Sequence, residues 1–247
     1  MSEKILIASG KGGVGKSTVT SFLGRTLAAR GRRVLLVDSD TGLGALDIML
    51  GVSESVNNTW ADVSAEVCDV KDAIIQVSEN LHLLPSPRMY VSDIPDDVFS
   101  SILAEVENDY DVIFIDAAAG VDDNVRRGAV CCDRAIFVAT ADEISVRCAF
   151  SAASEISSCG IDRENMRIII NRYMKKAAFK SKLLNIDGVI DKSGIPLLGI
   201  IPEDEKITFV SVTNVLPKKK SSFISALGRI ADRVEGRYVP LELKLIK

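Results

Sequence analysis

The nine residues Gly10-Lys11-Gly12-Gly13-Val14-Gly15-Lys16-Ser17-Thr18 lie between two apolar segments of different periodicity. The run Ile5-Leu6-Ile7-Ala8 precedes them and predicts a buried strand. The residues that follow have helical spacing, set by Val19, Phe22, Leu23 and Leu27. The order of strand, glycine-rich loop and helix, together with the pattern G-x-x-x-x-G-K-S/T, predicts a loop that binds phosphate groups.

Each residue type in this loop has a physical reason to be there. Glycine has no Cβ, so the backbone can adopt positive φ angles and turn several N–H groups toward one point. That point lies at a helix N-terminus, which favours an anion. We therefore predict that Gly10 to Thr18 bind a nucleotide, with Lys16 at its β- and γ-phosphates and the Ser17 hydroxyl on Mg²⁺. The alternative is a glycine-rich turn that happens to carry a lysine.

Lys11 is not required by a general phosphate-binding loop. With it, the sequence K-G-G-V-G-K-S-T resembles the deviant Walker A motif of the MinD/ParA family of ATPases. In that family the additional lysine reaches across a dimer interface to the nucleotide of the partner subunit. The resemblance implies ATP as the nucleotide and a catalytic role for Lys11 beside Lys16. A solvated loop lysine is the alternative.

Length and composition limit the class of protein. The chain has 247 residues, of which 47% are hydrophobic and 26% charged, as in an ordinary globular α/β domain. The net charge of −4 argues against a surface that attracts nucleic acid as a whole. Five cysteines without a CxxC spacing indicate neither a zinc site nor a disulfide framework. The sequence shows no signal peptide and no apolar run of about 18 residues, so the cytoplasm is the expected location.

Two further apolar runs end in aspartate. Val34 to Val37 leads into Asp38 and Asp40, and Asp111 to Ile115 leads into Asp116. Strands that are apolar at every position are buried on both faces, which predicts a doubly wound α/β fold with a mostly parallel sheet. Because ligands gather beyond the carboxyl ends of such strands, we predict that Asp116, in a Walker B pattern, and Asp38 contact Mg²⁺. Asp40 is predicted to position the attacking water. The alternative for these aspartates is to cap the segment that follows them.

Two loops resemble the nucleotide-responsive switches of MinD proteins. Asp40 to Gly51 is similar to D-x-G-L-x-x-L-D-x-x-x-G, although Gly44 and Ala45 replace an arginine and an asparagine that are common there. Ala117 to Gly120 resembles D-x-P-A-G without its proline. Gly120 is the predicted switch residue, because a glycine backbone changes conformation readily near a phosphate.

Two strand ends resemble the adenine-binding positions of the family. Asn171 follows the apolar strand Met166 to Ile170, and an amide can both donate and accept along a base edge. Pro202, Glu203 and Asp204 match the P-E-D turn that lines the base in MinD-like proteins. We predict that these residues contact the base, with helix capping as the alternative for Asn171.

The last part of the sequence bears on partners. We place a P-loop ATPase domain at residues 1–236 and a tail of uncertain structure at 237–247. MinD proteins usually end in a basic amphipathic membrane helix, but here Leu241, Leu243 and Leu245 alternate with charged residues, a period of two. The lysines at 218–220 are a candidate contact for DNA or anionic lipid, although a solvated helix start is the commoner reason for such a run.

The resemblance covers residues 4 to about 235 and implies an Mg²⁺-dependent ATPase that dimerises with ATP and is released by slow hydrolysis. The first hypothesis is a MinD-like switch in septum placement, with itself and a protein regulator as partners. Peripheral association with the inner face of the cell membrane stays open. The second hypothesis is a ParA-like ATPase that positions DNA or another cargo through ATP-dependent DNA binding.

Overall fold

The continuous apolar runs of the sequence form neighbouring strands of one sheet. The computed structural model of the protein describes residues 2–42, 44–91, 94–174, 183–204, 207 and 221–241. Within these ranges the strands are β1 Glu3–Ser9, β2 Val34–Asp38, β3 Ile75–Ser78, β4 Leu81–Leu84, β5 Val112–Ala119, β6 Arg134–Ala139, β7 Met166–Tyr173 and β8 Leu197–Pro202. The α-helices are α1 Lys16–Ala28, α2 Leu46–Leu50, α3 Trp60–Ser64, α4 Val70–Ala73, α5 Val98–Val106, α6 Asp123–Val130, α7 Glu143–Ser158, α8 Ile186–Ser193 and α9 Ser222–Val234.

The strand order places the glycine-rich loop at the middle of the sheet. The order is β3-β4-β2-β5-β1-β6-β7-β8, and the described pairs are parallel except for β3 with β4. Strand β1 has β5 on one side and β6 on the other, so the loop after β1 emerges between their carboxyl ends. Ligands of doubly wound sheets bind at this edge, where the strand order reverses. The predicted doubly wound α/β fold with a mostly parallel sheet is confirmed.

Helices cover both faces of the sheet and bury both. On one face, Leu6 of β1 belongs to a hydrophobic cluster with Trp60 of α3 and Phe99 of α5. On the other face, Ile7 belongs to a cluster with Phe22 of α1. Successive side chains of a strand point to opposite faces, so each apolar run is buried at every position rather than at alternate ones.

The edge strand β3 was not predicted from the sequence. Its residues Ile75–Ser78 alternate between half-buried and exposed positions, and among the described strands it pairs with β4 alone. Four residues are too few for periodicity to separate a strand from a helix end. The antiparallel edge is a β-hairpin in which Glu79 and Asn80 join β3 to β4, and these two residues include no glycine, the usual sequence signal of such a turn.

Two of the features that bear on partners lie largely outside the described residues. These are the lysines at 218–220 and the tail residues 242–247. The beginning of the tail is described, and there the guanidinium of Arg233 donates to the carbonyl oxygens of Val239 and Pro240 at 2.9 and 3.1 Å. Among the helices of the described ranges, none has the length and apolar character needed to span a bilayer.

The stability of the fold is expected to fall in acid through His82 of β4. Its Nδ1 atom is buried without a hydrogen-bond partner in the described ranges, and its ring packs edge-on against Tyr110, with ring centres 5.5 Å apart. Burial lowers the pKa of His82 below 6.5. The unfolded chain therefore binds a proton first, and stability is lost as the pH falls from 6.5 toward the lower folded-state pKa.

A His82→Phe variant removes this titration and keeps an aromatic ring against Tyr110. We expect its free energy of unfolding in urea to change less than that of the wild type between about pH 7 and about pH 5. Parallel curves for the two proteins would contradict the assignment to His82.

Candidate functional site

The loop after β1 directs backbone N–H groups toward the start of α1. Gly13 and Gly15 have φ angles of +77° and +91°, and Gly15 directly precedes α1. Among the described residues, no side chain caps this helix and no acidic residue lies in its first turn. The first N–H groups and the positive end of the helix dipole are therefore available to an anion.

Two glycines allow the loop to approach its neighbours closely. A Cβ atom at Gly10 would lie 2.2 Å from the carbonyl carbon of Cys148 in α7, and one at Gly15 would lie 2.4 Å from Nδ2 of Asn171. Asn171, near the end of β7, donates from Nδ2 to the carbonyl oxygen of Val14 at 2.8 Å. The loop is thus held between α7 and β7, and this contact orders its backbone without a ligand.

A buried charged pair lies at the base of the loop. Lys16 Nζ is 3.1 Å from Oδ1 of Asp116, and the two side chains are 8% and 1% exposed. Thr20, one helical turn after Lys16, donates from its hydroxyl to the same Asp116 oxygen at 2.7 Å. Lys16 Nζ is also 3.4 Å from Ser17 Oγ. A lysine, a carboxylate and a hydroxyl in contact form a donor set that fits a phosphate together with Mg²⁺, which prefers oxygen ligands.

Asp38 has a different environment from Asp116. Its carboxylate accepts hydrogen bonds from the backbone N–H groups of Asp40, Ala45 and Leu46 at 3.1, 3.1 and 3.2 Å. Burial, followed by the charge of Asp116, raises the pKa of Asp38 to about 7. In this structure Asp38 holds the start of α2, which agrees with the capping alternative, and its contact with Mg²⁺ stays a prediction.

Asp40 shares one cavity with the loop. The cavity has a volume of about 430 Å³ and is lined by Ser9, Gly12, Gly13, Val14, Gly15, Lys16, Ser17, Thr18, Asp40, Met49, Ala119 and Arg172. Asp40 is half-buried, and this burial raises the pKa of its carboxyl group while the nearby Lys16 lowers it. The structure thus places this carboxylate at the same cavity as Lys16, and its role in positioning water stays a prediction.

Lys11 has a partner within its own chain. Its Nζ lies 3.4 Å from Oδ1 of Asp142, and the two side chains are 43% and 32% exposed. Asp142 also caps α7, since it accepts the N–H of Ser145 at 3.0 Å. An exposed ion pair of this kind contributes at most about 1 kcal/mol, so a competing anion can displace it readily.

The predicted base-binding residues line a second pocket beside the cavity. Asn171 lines this pocket with Pro202, Glu203 and Asp204. The N–H of Glu203 donates to the carbonyl of Tyr173 at 3.2 Å and joins the ends of β8 and β7. The structure therefore brings the amide and the P-E-D turn together, while their contact with adenine stays a prediction.

Gly120 follows β5 and contacts Ser9, the last residue of β1 before the loop. Its φ angle is +101°, and its N–H donates to the carbonyl of Ser9 at 2.8 Å. A Cβ atom there would meet nothing within 4 Å among the described residues. The backbone angle, rather than close packing, favours glycine at this position, and the switch role of Gly120 stays a prediction.

Sequence reasoning missed Thr20 and Asp142, which contact the charged residues of this site. Thr20 is separated from Lys16 by one helical turn, a spacing that places both on one helix face and that offered a usable signal. Asp142 follows β6, and its contact with Lys11 depends on β6 lying next to β1. Nothing in the sequence reveals that strand order.

Comparisons of the sequence with known proteins agree with this geometry. Residues 5–217 match the CobQ/CobB/MinD/ParA nucleotide binding domain family. The septum site-determining protein MinD of Synechocystis is 32% identical over 97% of this chain and 92% of its own length. That of Thermotoga maritima is 31% identical over 98% of this chain and 91% of its own length.

Solved structures give the same result. The MinC:MinD cell division protein complex of Aquifex aeolicus contains a chain that superposes with a TM-score of 0.89, at 29% identity and 98% coverage of both chains. MinD of Pyrococcus horikoshii complexed with Mg-ADP gives a TM-score of 0.84, at 28% identity, with 95% of this chain and 96% of that chain covered. The chain therefore belongs to the MinD/ParA family of P-loop nucleotide-binding proteins, and within that family it resembles MinD.

Proposed function

We propose that the protein is a MinD-like ATPase that dimerises when it binds ATP and Mg²⁺ and is returned to the monomer by slow ATP hydrolysis. The observation that carries this proposal is the additional lysine, Lys11. It lies on the same loop as the phosphate-binding group formed by the loop N–H groups with Lys16, Ser17 and Asp116, called the cradle below. Lys16 serves the nucleotide of its own subunit, whereas Lys11 is exposed on the same loop and held by one weak ion pair. A cation in that position suits the nucleotide of a second copy.

The residues of the site have separate roles in phosphate binding, Mg²⁺ binding, water positioning and base binding. The loop N–H groups and Lys16 hold the phosphates and stabilise the charge that develops on them. Ser17 and Asp116 would hold Mg²⁺, which supplies further charge neutralisation when bound. Asp40 orients the attacking water, and Asn171 with Pro202, Glu203 and Asp204 would line the adenine.

The biological setting follows from the relatives. The Synechocystis and Thermotoga proteins are named for septum site determination, and the Aquifex structure contains MinC with MinD. For this chain we therefore propose a role in septum placement with a protein regulator as partner. The candidate DNA contact at lysines 218–220 lies outside the described ranges, and the tail, whose sequence does not support a membrane helix, is described only as far as residue 241.

Replacing Lys11 with alanine tests the dimer. With a non-hydrolysable ATP analogue and Mg²⁺, we expect wild-type mass in light scattering to rise from 26.7 kDa toward twice that value, and the variant to stay monomeric. The free energy of unfolding without nucleotide should change by less than about 1 kcal/mol, because only an exposed pair is lost. A dimeric variant, or a wild type that stays monomeric, would overturn the proposal.

Asp40→Ala separates dimerisation from hydrolysis in the same experiment. If Asp40 positions water, the variant should still dimerise with the analogue, while steady-state release of phosphate from ATP falls at least tenfold. Wild-type turnover in this variant would remove the assigned role.

A further inference from the structure

Arg172 has a backbone conformation that its residue type disfavours. Its φ angle is +54°, and among the described non-glycine residues only Glu66 shares a positive φ. Such left-handed geometry is strained for a side chain with a Cβ. The pairing of β7 with β8 also shifts register between Ile170 and Tyr173, which is where Arg172 lies. Bulges of this kind re-aim side chains and are frequent next to functional sites.

At this bulge the side chains of Asn171 and Tyr173 are buried, whereas that of Arg172 is exposed. Asn171 is 4% exposed and bound to the loop at Val14, and Tyr173 is 5% exposed. Arg172 between them is exposed. Its guanidinium has no hydrogen-bond or ion-pair partner within the described ranges, although the five N–H donors of arginine usually find acceptors when they are close by. Among the described residues, the strained position therefore holds a charged group that stabilises no contact of the fold.

Arg172 also lies at the boundary of two pockets. It lines the cavity above the loop, which contains Lys16 and Asp40, and it lines the pocket formed by Asn171 with the P-E-D turn. The other residues shared by both are Gly15 and Thr18. A nucleotide with its terminal phosphates in the cavity and its base in the pocket crosses this boundary with its α-phosphate and ribose, and of these two groups only the α-phosphate carries the negative charge that an arginine binds.

We infer that Arg172 is a further nucleotide-binding residue, whose guanidinium binds the α-phosphate where the chain of phosphates leaves the loop. The inference rests on the proposed nucleotide site and adds a residue that no motif in the sequence marks. Guanidinium suits this position because its planar donors match two phosphate oxygens, and because it stays charged at every physiological pH. The strained backbone is the structural requirement for placing it there.

The Arg172→Gly variant distinguishes the effect of the guanidinium on nucleotide affinity from the effect of the strained backbone on stability. Glycine adopts φ near +54° without penalty, so the variant should have a melting temperature equal to or above that of the wild type. Its affinity for ADP should nevertheless fall about tenfold, the loss expected for one charged hydrogen-bonding partner. A residue with only a structural role would move stability and affinity in the same direction.

Displacement of a fluorescent ADP analogue by ADP, AMP and adenosine gives the decisive measurement. We expect Arg172→Gly to weaken ADP and AMP alike and to leave adenosine unchanged, because only the first two carry an α-phosphate. Arg126→Ala is the control. It removes an exposed charge of α6 that pairs with Glu155 of α7, and the variant should bind all three ligands as the wild type does.

The outcomes separate this inference from the proposed function. Equal ADP affinity in Arg172→Gly and wild type overturns the assignment of Arg172, and so does an equal loss for adenosine. A wild type that binds ADP but does not dimerise with an ATP analogue overturns the proposed switch and leaves the assignment of Arg172 standing.

Discussion

Replacing Lys16 with alanine is expected to weaken ADP binding about a hundredfold and to destabilise the protein even without nucleotide. The first effect follows from the loss of the point charge at the phosphates. The second follows from the buried pair, since Asp116 is 1% exposed and would remain without its cation, with Asp38 as a neighbouring acid. Breaking a buried pair in this way costs about 3–5 kcal/mol of unfolding free energy.

A double variant distinguishes the two effects. Lys16→Ala with Asp116→Asn removes the unpaired charge and keeps an oxygen that can accept from Thr20. It should recover most of the unfolding free energy in urea, while ADP affinity by calorimetry stays low. Lys71→Ala, which breaks an exposed pair with Asp109 at 3.9 Å, should change neither quantity. Unaltered stability in the single Lys16 variant would contradict the importance of the buried pair.

Replacing Gly10 with alanine is expected to have the next largest effect. The new Cβ would lie 2.2 Å from the backbone carbonyl carbon and oxygen of Cys148, which belong to α7 and cannot rotate away as a side chain can. Either the loop or the helix must shift. We expect a loss of about 3 kcal/mol in unfolding free energy, at the upper end of overpacking effects, together with weaker ADP binding because the loop N–H groups move.

Two neighbouring glycines are matched controls. At Gly12 a Cβ would lie 3.8 Å from the Cβ of Ala119, an ordinary contact, so alanine there should be nearly neutral. At Gly13 it would meet no described atom within 4 Å, but the φ angle of +77° is strained for alanine and costs about 1–2 kcal/mol. The alanine variants are therefore expected to lose least unfolding free energy at Gly12, more at Gly13 and most at Gly10. An equal effect at Gly10 and Gly12 would show that α7 moves freely.

The cradle was predictable from the sequence because its residues are close together along the chain. Gly10 to Gly15 connect β1 to α1, Lys16 to Thr18 begin the helix, and local sequence determines such a connection. Asp116 was predictable since it follows an apolar run, although β5 itself continues to Ala119. The environment of Asp38 was not predictable, because its partners Ala45 and Leu46 belong to a loop whose path depends on tertiary packing.

The sequence by itself determined the fold class and the nucleotide loop of this protein, because apolar periodicity reports burial and glycine spacing reports backbone geometry. The tertiary structure decided which distant residues meet. Lys11 and Asp142 are 131 positions apart, and Asn171 and Val14 are 157 apart. These contacts depend on β6 lying beside β1 and on β7 lying beside β6, and strand order results from the packing of the whole sheet rather than from any local pattern.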